Sequence, residues 1–158
     1  MSKTLIAFFS ASGTTAKTAG QIAKAAENAD IFEIKPVTPY TDADLKWTNP
    51  FARCNKEKIS KKDVPISGKI ENISEYDLIL IGFPIWYYGA PNIIQTFLKQ
   101  YDFSGKKLAL FATSGGSDIS KTADKLKPYL SDTAGIAGAK LFKQDETDKD
   151  IADWLKSL

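Results

Sequence analysis

FFSASGTTAKTAG, residues Phe8 to Gly20, is the stretch that decides how this chain folds. An apolar run stops at Phe9, five of the next six residues carry a hydroxyl or are glycine, and an alanine-rich segment begins. In open parallel sheets, ligands sit where strands end and helices begin. The loop Ser10-Ala11-Ser12-Gly13-Thr14-Thr15 supplies hydroxyl donors there, and Gly13 lets the backbone come close. A helix from about Thr14 adds free N–H groups and the positive end of its dipole. A single Ser-Gly-Thr reads as an N-cap with a glycine turn; five such residues in six, after a buried strand, read as a phosphate cradle. The chain has no G-x-x-x-x-G-K-[ST] and no G-x-G-x-x-G after this strand. A nucleoside-triphosphatase loop and the usual dinucleotide fingerprint are therefore excluded. A cofactor phosphomonoester held by hydroxyls and backbone fits what remains.

Working outward, Thr4–Phe9, Asp77–Phe83 and Lys107–Thr113 are short, nearly continuous apolar runs, the pattern of strands buried on both faces of a parallel sheet. Ile31–Lys35 alternates and belongs nearer an edge, and Gly138–Phe142 is a weaker fifth strand. Helical patterns fall at Thr14–Ala29, Pro91–Tyr101, Asp118–Leu130 and Thr147–Leu158. This alternation predicts an α/β, doubly wound, five-stranded parallel sheet in the order 2-1-3-4-5, with helices on both faces. The 158 residues are read as a single domain, 1–158. Its 36–65 connection is unusually long, and is expected to form one or two short helices over the ligand end of the sheet.

Composition removes whole classes of chemistry. The chain has no histidine and one cysteine, Cys54, so Ser-His and Cys-His nucleophilic systems, an internal disulfide and a soft-metal site are not expected. A net charge of +2 with mixed signs gives no nucleic-acid footprint. No apolar run reaches membrane-spanning length, and a cytoplasmic chain with no membrane or nucleic-acid partner is the expectation. Cys54 reads as a partly buried small apolar residue rather than a nucleophile.

Two further strand ends carry site-type loops. The third strand runs into Pro84-Ile85-Trp86-Tyr87-Tyr88-Gly89-Ala90-Pro91, where three consecutive aromatics exceed what a staple over the sheet end uses. The fourth runs into Thr113-Ser114-Gly115-Gly116-Ser117-Asp118, small and donor-rich. Phosphate donors, stacking surfaces and backbone hydrogen bonds thus share one rim.

With SASGTT, PIWYYGAP and DFSGKKLALFATSGGSD, the sequence resembles the flavodoxin-like FMN-binding flavoproteins, specifically the short flavodoxin family, over nearly its whole length. The first loop matches the family's [ST]-x-[ST]-G-x-[ST] pattern at Ser10, Ser12, Gly13 and Thr15. The resemblance implies non-covalent FMN, with its phosphate on the first loop and its ring between the other two. Among the aromatics, Trp86 is expected to flank the ring, Tyr87 to come second and Tyr88 to pack. A response-regulator receiver would need acids after strand one and an aspartate after strand three. A low-molecular-weight tyrosine phosphatase would need cysteine and arginine around the first loop. The chain has neither set.

Function then divides. One reading is an electron carrier serving a redox partner protein. Another is a small NAD(P)H-dependent reductase of quinone-like or other small acceptors, with Trp47, Phe51, Arg53 and nearby lysines framing a substrate pocket. A third is a flavin-binding regulator without turnover. A monomer or weak homodimer is expected. Unlike the strongly acidic electron-carrying members, this chain is slightly basic with near-neutral flavin-side loops, which implies less charge repulsion against a reduced flavin.

Overall fold

The computed structural model describes residues 3–10, 13–26, 28–45, 48–60, 63–85, 90–113, 119–130, 135–142 and 146–158. Among them, β1 (Thr4–Phe8), β2 (Ala29–Glu33), β3 (Leu78–Pro84), β4 (Lys107–Thr113) and β5 (Gly135–Phe142) form one sheet. All its pairings are parallel, in the order β2-β1-β3-β4-β5. The order and the edge position of β2 are those expected from the sequence.

The continuous apolar runs follow from having two covered faces. Leu5, Ala7, Ile79, Ile81, Leu108 and Leu110 point to one side, where they join Ile93, Phe97 and Leu126 of α3 (Asn92–Gln100) and α4 (Ser120–Leu126). Ile6, Phe8, Leu80, Ala109 and Phe111 point to the other, against Ala19, Ile22 and Ile151 of α1 (Thr14–Ala25) and α5 (Asp148–Lys156). Successive residues of a strand face opposite ways, so both sets must be apolar. Gly82 is the exception, and its missing side chain is filled: a Cβ there would lie 2.1 Å from the Phe111 ring. Truncating Phe111 would leave that space empty at a cost of about 3–5 kcal/mol.

Several boundaries differ from the sequence reading. β2 runs Ala29–Glu33 rather than Ile31–Lys35, and Lys35 pairs antiparallel with Ser67 outside the main sheet. α1 stops at Ala25 rather than Ala29, because Asn28 takes a left-handed turn (φ 54°) and Ala29 already pairs with Thr4 in the ladder. Asparagine tolerates that conformation better than most residues. β5 starts at Gly135, with a register shift opposite Leu108/Ala109 that absorbs one extra residue. α4 gives way to a 3-10 turn, Lys127–Tyr129, at Pro128, which has no N–H to continue the α ladder.

The long connection is closed at its neck. Lys35–Pro36 pairs antiparallel with Ile66–Ser67, and Val37 N–H donates to the Pro65 carbonyl at 2.9 Å. Inside the neck lie a turn capped reciprocally by Thr41 and Asp44 and the helix α2 (Arg53–Ser60). Cys54 is buried there and its N–H donates to the Asp44 carbonyl at 3.0 Å. No helix among the described residues is long and apolar enough to cross a membrane.

Candidate functional site

The register places the ends of β1, β3 and β4 side by side, with Phe8 opposite Gly82 and Pro84 opposite Thr113. Ser10, Gly13, Thr14, Thr15, Pro84, Ile85 and Thr113 of the expected site can be followed there. Ala11, Ser12, Trp86, Tyr87, Ser114, Gly115, Gly116, Ser117 and Asp118 lie outside the described residues, as do Trp47 and Tyr88.

Gly13 is the N-cap of α1 in the left-handed region, φ 93°, with nothing within 4 Å of a built Cβ. Its requirement is therefore conformational rather than spatial. The first helical bond runs from Lys17 N–H to the Gly13 carbonyl at 3.1 Å. Ser10, upstream of the turn, reaches back into the helix end: its Oγ accepts from Gly13 N–H at 3.0 Å and from Ala16 N–H at 3.2 Å. A hydroxyl oxygen has two acceptor positions and one proton. With both acceptor positions engaged, the capacity left to Ser10 is donation. The first turn of α1 holds no acidic residue, so its dipole end is left without a carboxylate of its own. A hydroxyl donor at the mouth of a helix whose own first turn carries no acid suits an anion.

Thr113 joins the three loops. Its Oγ1 lies 2.8 Å from Thr15 Oγ1, a buried hydroxyl pair. Its carbonyl accepts from Ile85 N–H at 3.0 Å, and the sequence continues from it into Ser114–Asp118, outside the described residues. In a hydroxyl–hydroxyl pair one proton is spent on the partner and the other stays available for a third group. Thr15 and Thr113 are 1% and 6% exposed, so the pair also fixes the first loop to the fourth strand from inside.

A polar knot beside these strand ends was not legible in the sequence. The Glu57 carboxylate accepts from Tyr40 OH through one oxygen and from Arg53 Nε at 2.9 Å through the other. Arg53 also donates through Nη1 to the Thr38 carbonyl at 2.7 Å, and its guanidinium stands 4.0 Å from the centre of the Tyr40 ring. That ring meets Phe9 edge-on at 5.6 Å. Burial pushes the Tyr40 hydroxyl far above its ordinary range, and its bond to Glu57 adds to the rise. Arg53, expected as the frame of a substrate pocket, is thus engaged within the connection, while Phe51 is 75% exposed. Asn92 extends the knot, donating from Nδ2 to the Glu57 carbonyl. The available signals were the i,i+4 spacing of Arg53 and Glu57 and, on α3, the polar stripe Asn92, Gln95, Thr96, Lys99 and Gln100 beside the apolar remainder of the helix.

Comparison with known proteins completes the picture. The family profile described as Flavodoxin matches residues 3–158. A protein of Bacteroides eggerthii assigned as a flavoprotein superposes with a TM-score of 0.88 at 41% identity, covering 99% of this chain and 97% of that one. A flavoprotein of Lactobacillus acidophilus NCFM, solved in complex with FMN, gives a TM-score of 0.75 at 27% identity, covering 98% of this chain and 99% of that one. Flavodoxin 1 of Escherichia coli (strain K12) is 34% identical over 71 residues, 42% of this chain and 39% of that protein. The match thus spans well under half the length of that relative.

Proposed function

We propose, from the premise that this chain belongs to the flavodoxin family, that it binds FMN non-covalently and passes electrons through it to a redox partner protein or a small-molecule acceptor. The observation that carries the reading is Ser10, both of whose acceptor positions are filled by Gly13 and Ala16 N–H, leaving its proton for an anion at the mouth of α1. FMN, rather than FAD, agrees with one phosphate-type loop and with the FMN carried by the Lactobacillus acidophilus relative. When bound, FMN supplies one- or two-electron redox chemistry, and the protein sets its orientation and potential. Ser10, Ser12 and the backbone from Ala11 to Thr15 would hold the phosphate. Pro84 to Tyr87 and Thr113 to Asp118 would enclose the ring.

Arg53 favours a carrier over a reductase with its own acceptor pocket. A cation committed to Glu57, to a backbone carbonyl and to the Tyr40 ring is engaged inside the connection rather than aimed into a cleft. The test is direct. Heat-released flavin from the purified protein should run as FMN on chromatography, and steady-state oxidation of NADH or NADPH by the holoprotein should be slow. Released FAD, or no flavin uptake by the apoprotein, overturns the cofactor assignment. Rapid nicotinamide oxidation with a quinone present overturns the carrier assignment.

A further inference from the structure

The 36–65 connection is attached to α3 along one stripe. Asn92 donates to the Glu57 carbonyl, and Thr96 Oγ1 accepts from Val64 N–H at 3.0 Å. Asp63 accepts from Gln95 at 3.3 Å and from Lys99 at 2.9 Å. These attachments differ in where they lead. Lys99 and Thr96 sit further along the helix. Asn92 is its first residue, immediately after Ala90 and Pro91, where the aromatic loop rejoins the described chain. At its other end the Glu57 knot grips Tyr40, whose ring lies against Phe9, the neighbour of Ser10. One residue, Glu57, therefore bonds through its carboxylate toward the phosphate-loop side and through its carbonyl toward the aromatic-loop side.

We infer that Glu57, with Tyr40 and Arg53, is a positioning residue that holds the two flanks of the FMN site in register, so that cofactor affinity depends on side chains that do not touch the cofactor. The Glu57 side chain is 18% exposed and that of Arg53 is 23% exposed, so their bond is largely withdrawn from solvent and is not the weak surface type. Changing the carboxylate to an amide removes the charge facing Arg53 and leaves one acceptor oxygen for two donors, so the amide N–H must face either Arg53 Nε–H or the Tyr40 hydroxyl. Removing the Tyr40 hydroxyl deletes the tie on the Phe9 side while keeping the ring. Either change frees one flank relative to the other, and misplacement of positioned groups is costly even far from the bound atoms.

The inference rests on the FMN reading, and the experiment separates the two. Apoprotein is titrated with FMN and followed by quenching of flavin fluorescence, with the thermal midpoint of each apoprotein measured alongside. Wild type, Glu57→Gln, Tyr40→Phe and Thr96→Val are compared. Thr96→Val breaks the Val64 attachment of the same connection to α3; it also removes the bond from Thr96 Oγ1 to the Asn92 carbonyl at 3.3 Å, but leaves the Asn92 side chain and its tie to Glu57 in place. The expected result is a rise in FMN Kd of roughly tenfold for Glu57→Gln and several-fold for Tyr40→Phe. Thr96→Val should lower the apoprotein midpoint yet keep Kd within twofold. If Glu57→Gln and Tyr40→Phe both bind FMN within twofold of wild type, the positioning role is wrong while the FMN reading stands. If Thr96→Val weakens FMN as much as Glu57→Gln, the effect is general loosening and the role is likewise overturned. A wild-type protein that takes up no FMN overturns the FMN reading and the inference with it.

Discussion

At the start of α5 the chain satisfies its own helix end. Thr147 Oγ1 accepts from Asp150 N–H at 3.1 Å, the Asp150 carboxylate accepts from Thr147 N–H at 3.1 Å, and Asp148 adds a second acid to the first turn. At the start of α1 the hydroxyl comes from outside the helix, on Ser10, and the first turn carries Lys17 and no acid. Both ends have a side-chain hydroxyl bonded to a first-turn N–H, and a capping argument alone would treat them alike. The difference lies in the missing anion. α5 brings carboxylates to its positive dipole end, whereas α1 offers donors and leaves that charge to be supplied from elsewhere.

The comparison breaks most directly at Ser10. Ser10→Ala should weaken FMN binding by about 1.5–3 kcal/mol, the value of a hydrogen bond to a charged group, or at least roughly tenfold in Kd. Riboflavin, which lacks the phosphate, should bind wild type and variant alike. Equal losses for the two ligands would mean that Ser10 shapes the loop and does not contact the phosphate.

Thr147→Ala is the matching change at the self-satisfied end. It should cost about 0.5–2 kcal/mol of stability, a fall of a few degrees in melting temperature, and leave FMN affinity where it was. A measurable loss of FMN affinity would show that α5 is not independent of the site. Lys17→Glu makes α1 resemble α5. Lys17 is exposed, so the apoprotein should gain about 0.3–1 kcal/mol from the dipole, while FMN binding weakens through repulsion of the phosphate. Unchanged affinity would locate the phosphate away from this helix end.

How much of this the sequence made legible depended on the kind of force involved. β1, β3 and β4 are held by burial on two faces, which writes itself as unbroken apolar runs. β5 is half-exposed and bulged, so only its second half was recognised. The end of α1 was misread because Ala26 is acceptable in a helix; the pairing of Thr4 with Ala29 overrides that local preference. In the site, loop composition was readable, but the Thr15–Thr113 bond joins residues 98 positions apart and no spacing announces it. In the Tyr40–Arg53–Glu57 knot only the i,i+4 spacing of Arg53 and Glu57 on α2 was readable. Tyr40 stands 17 positions before Glu57 in a segment without periodicity, and the stripe on α3 hinted that something covers it.

The smallest expected effect concerns pH, where the two helix ends should respond in separate windows. Asp150 is held below its ordinary value of 3.8, first by the backbone N–H of Thr147 and then by its hydroxyl. A carboxyl whose folded pKa lies below its unfolded one binds fewer protons when folded, so stability rises with pH across that interval. The contribution from Asp150 is fully present above about pH 4 and is lost as pH falls through the folded value. Asp44, held low by the backbone N–H of Thr41, acts in the same direction. α1 has no acid in its first turn and adds nothing to this limb. Its response should instead come from the ligand, since a phosphomonoester takes up its second proton near pH about 6. Donors and a positive dipole end prefer the dianion, so FMN affinity should decline as pH drops from 7 toward 5, while riboflavin affinity stays flat. Melting curves between pH 5 and 2.5 should show the acid limb becoming shallower in Thr147→Ala, and FMN titrations between pH 5 and 8 should show no change in slope for that variant. FMN affinity that is flat from pH 5 to 8 would mean that the dianion is not preferred, and the contrast between the two helix ends would lose its functional meaning.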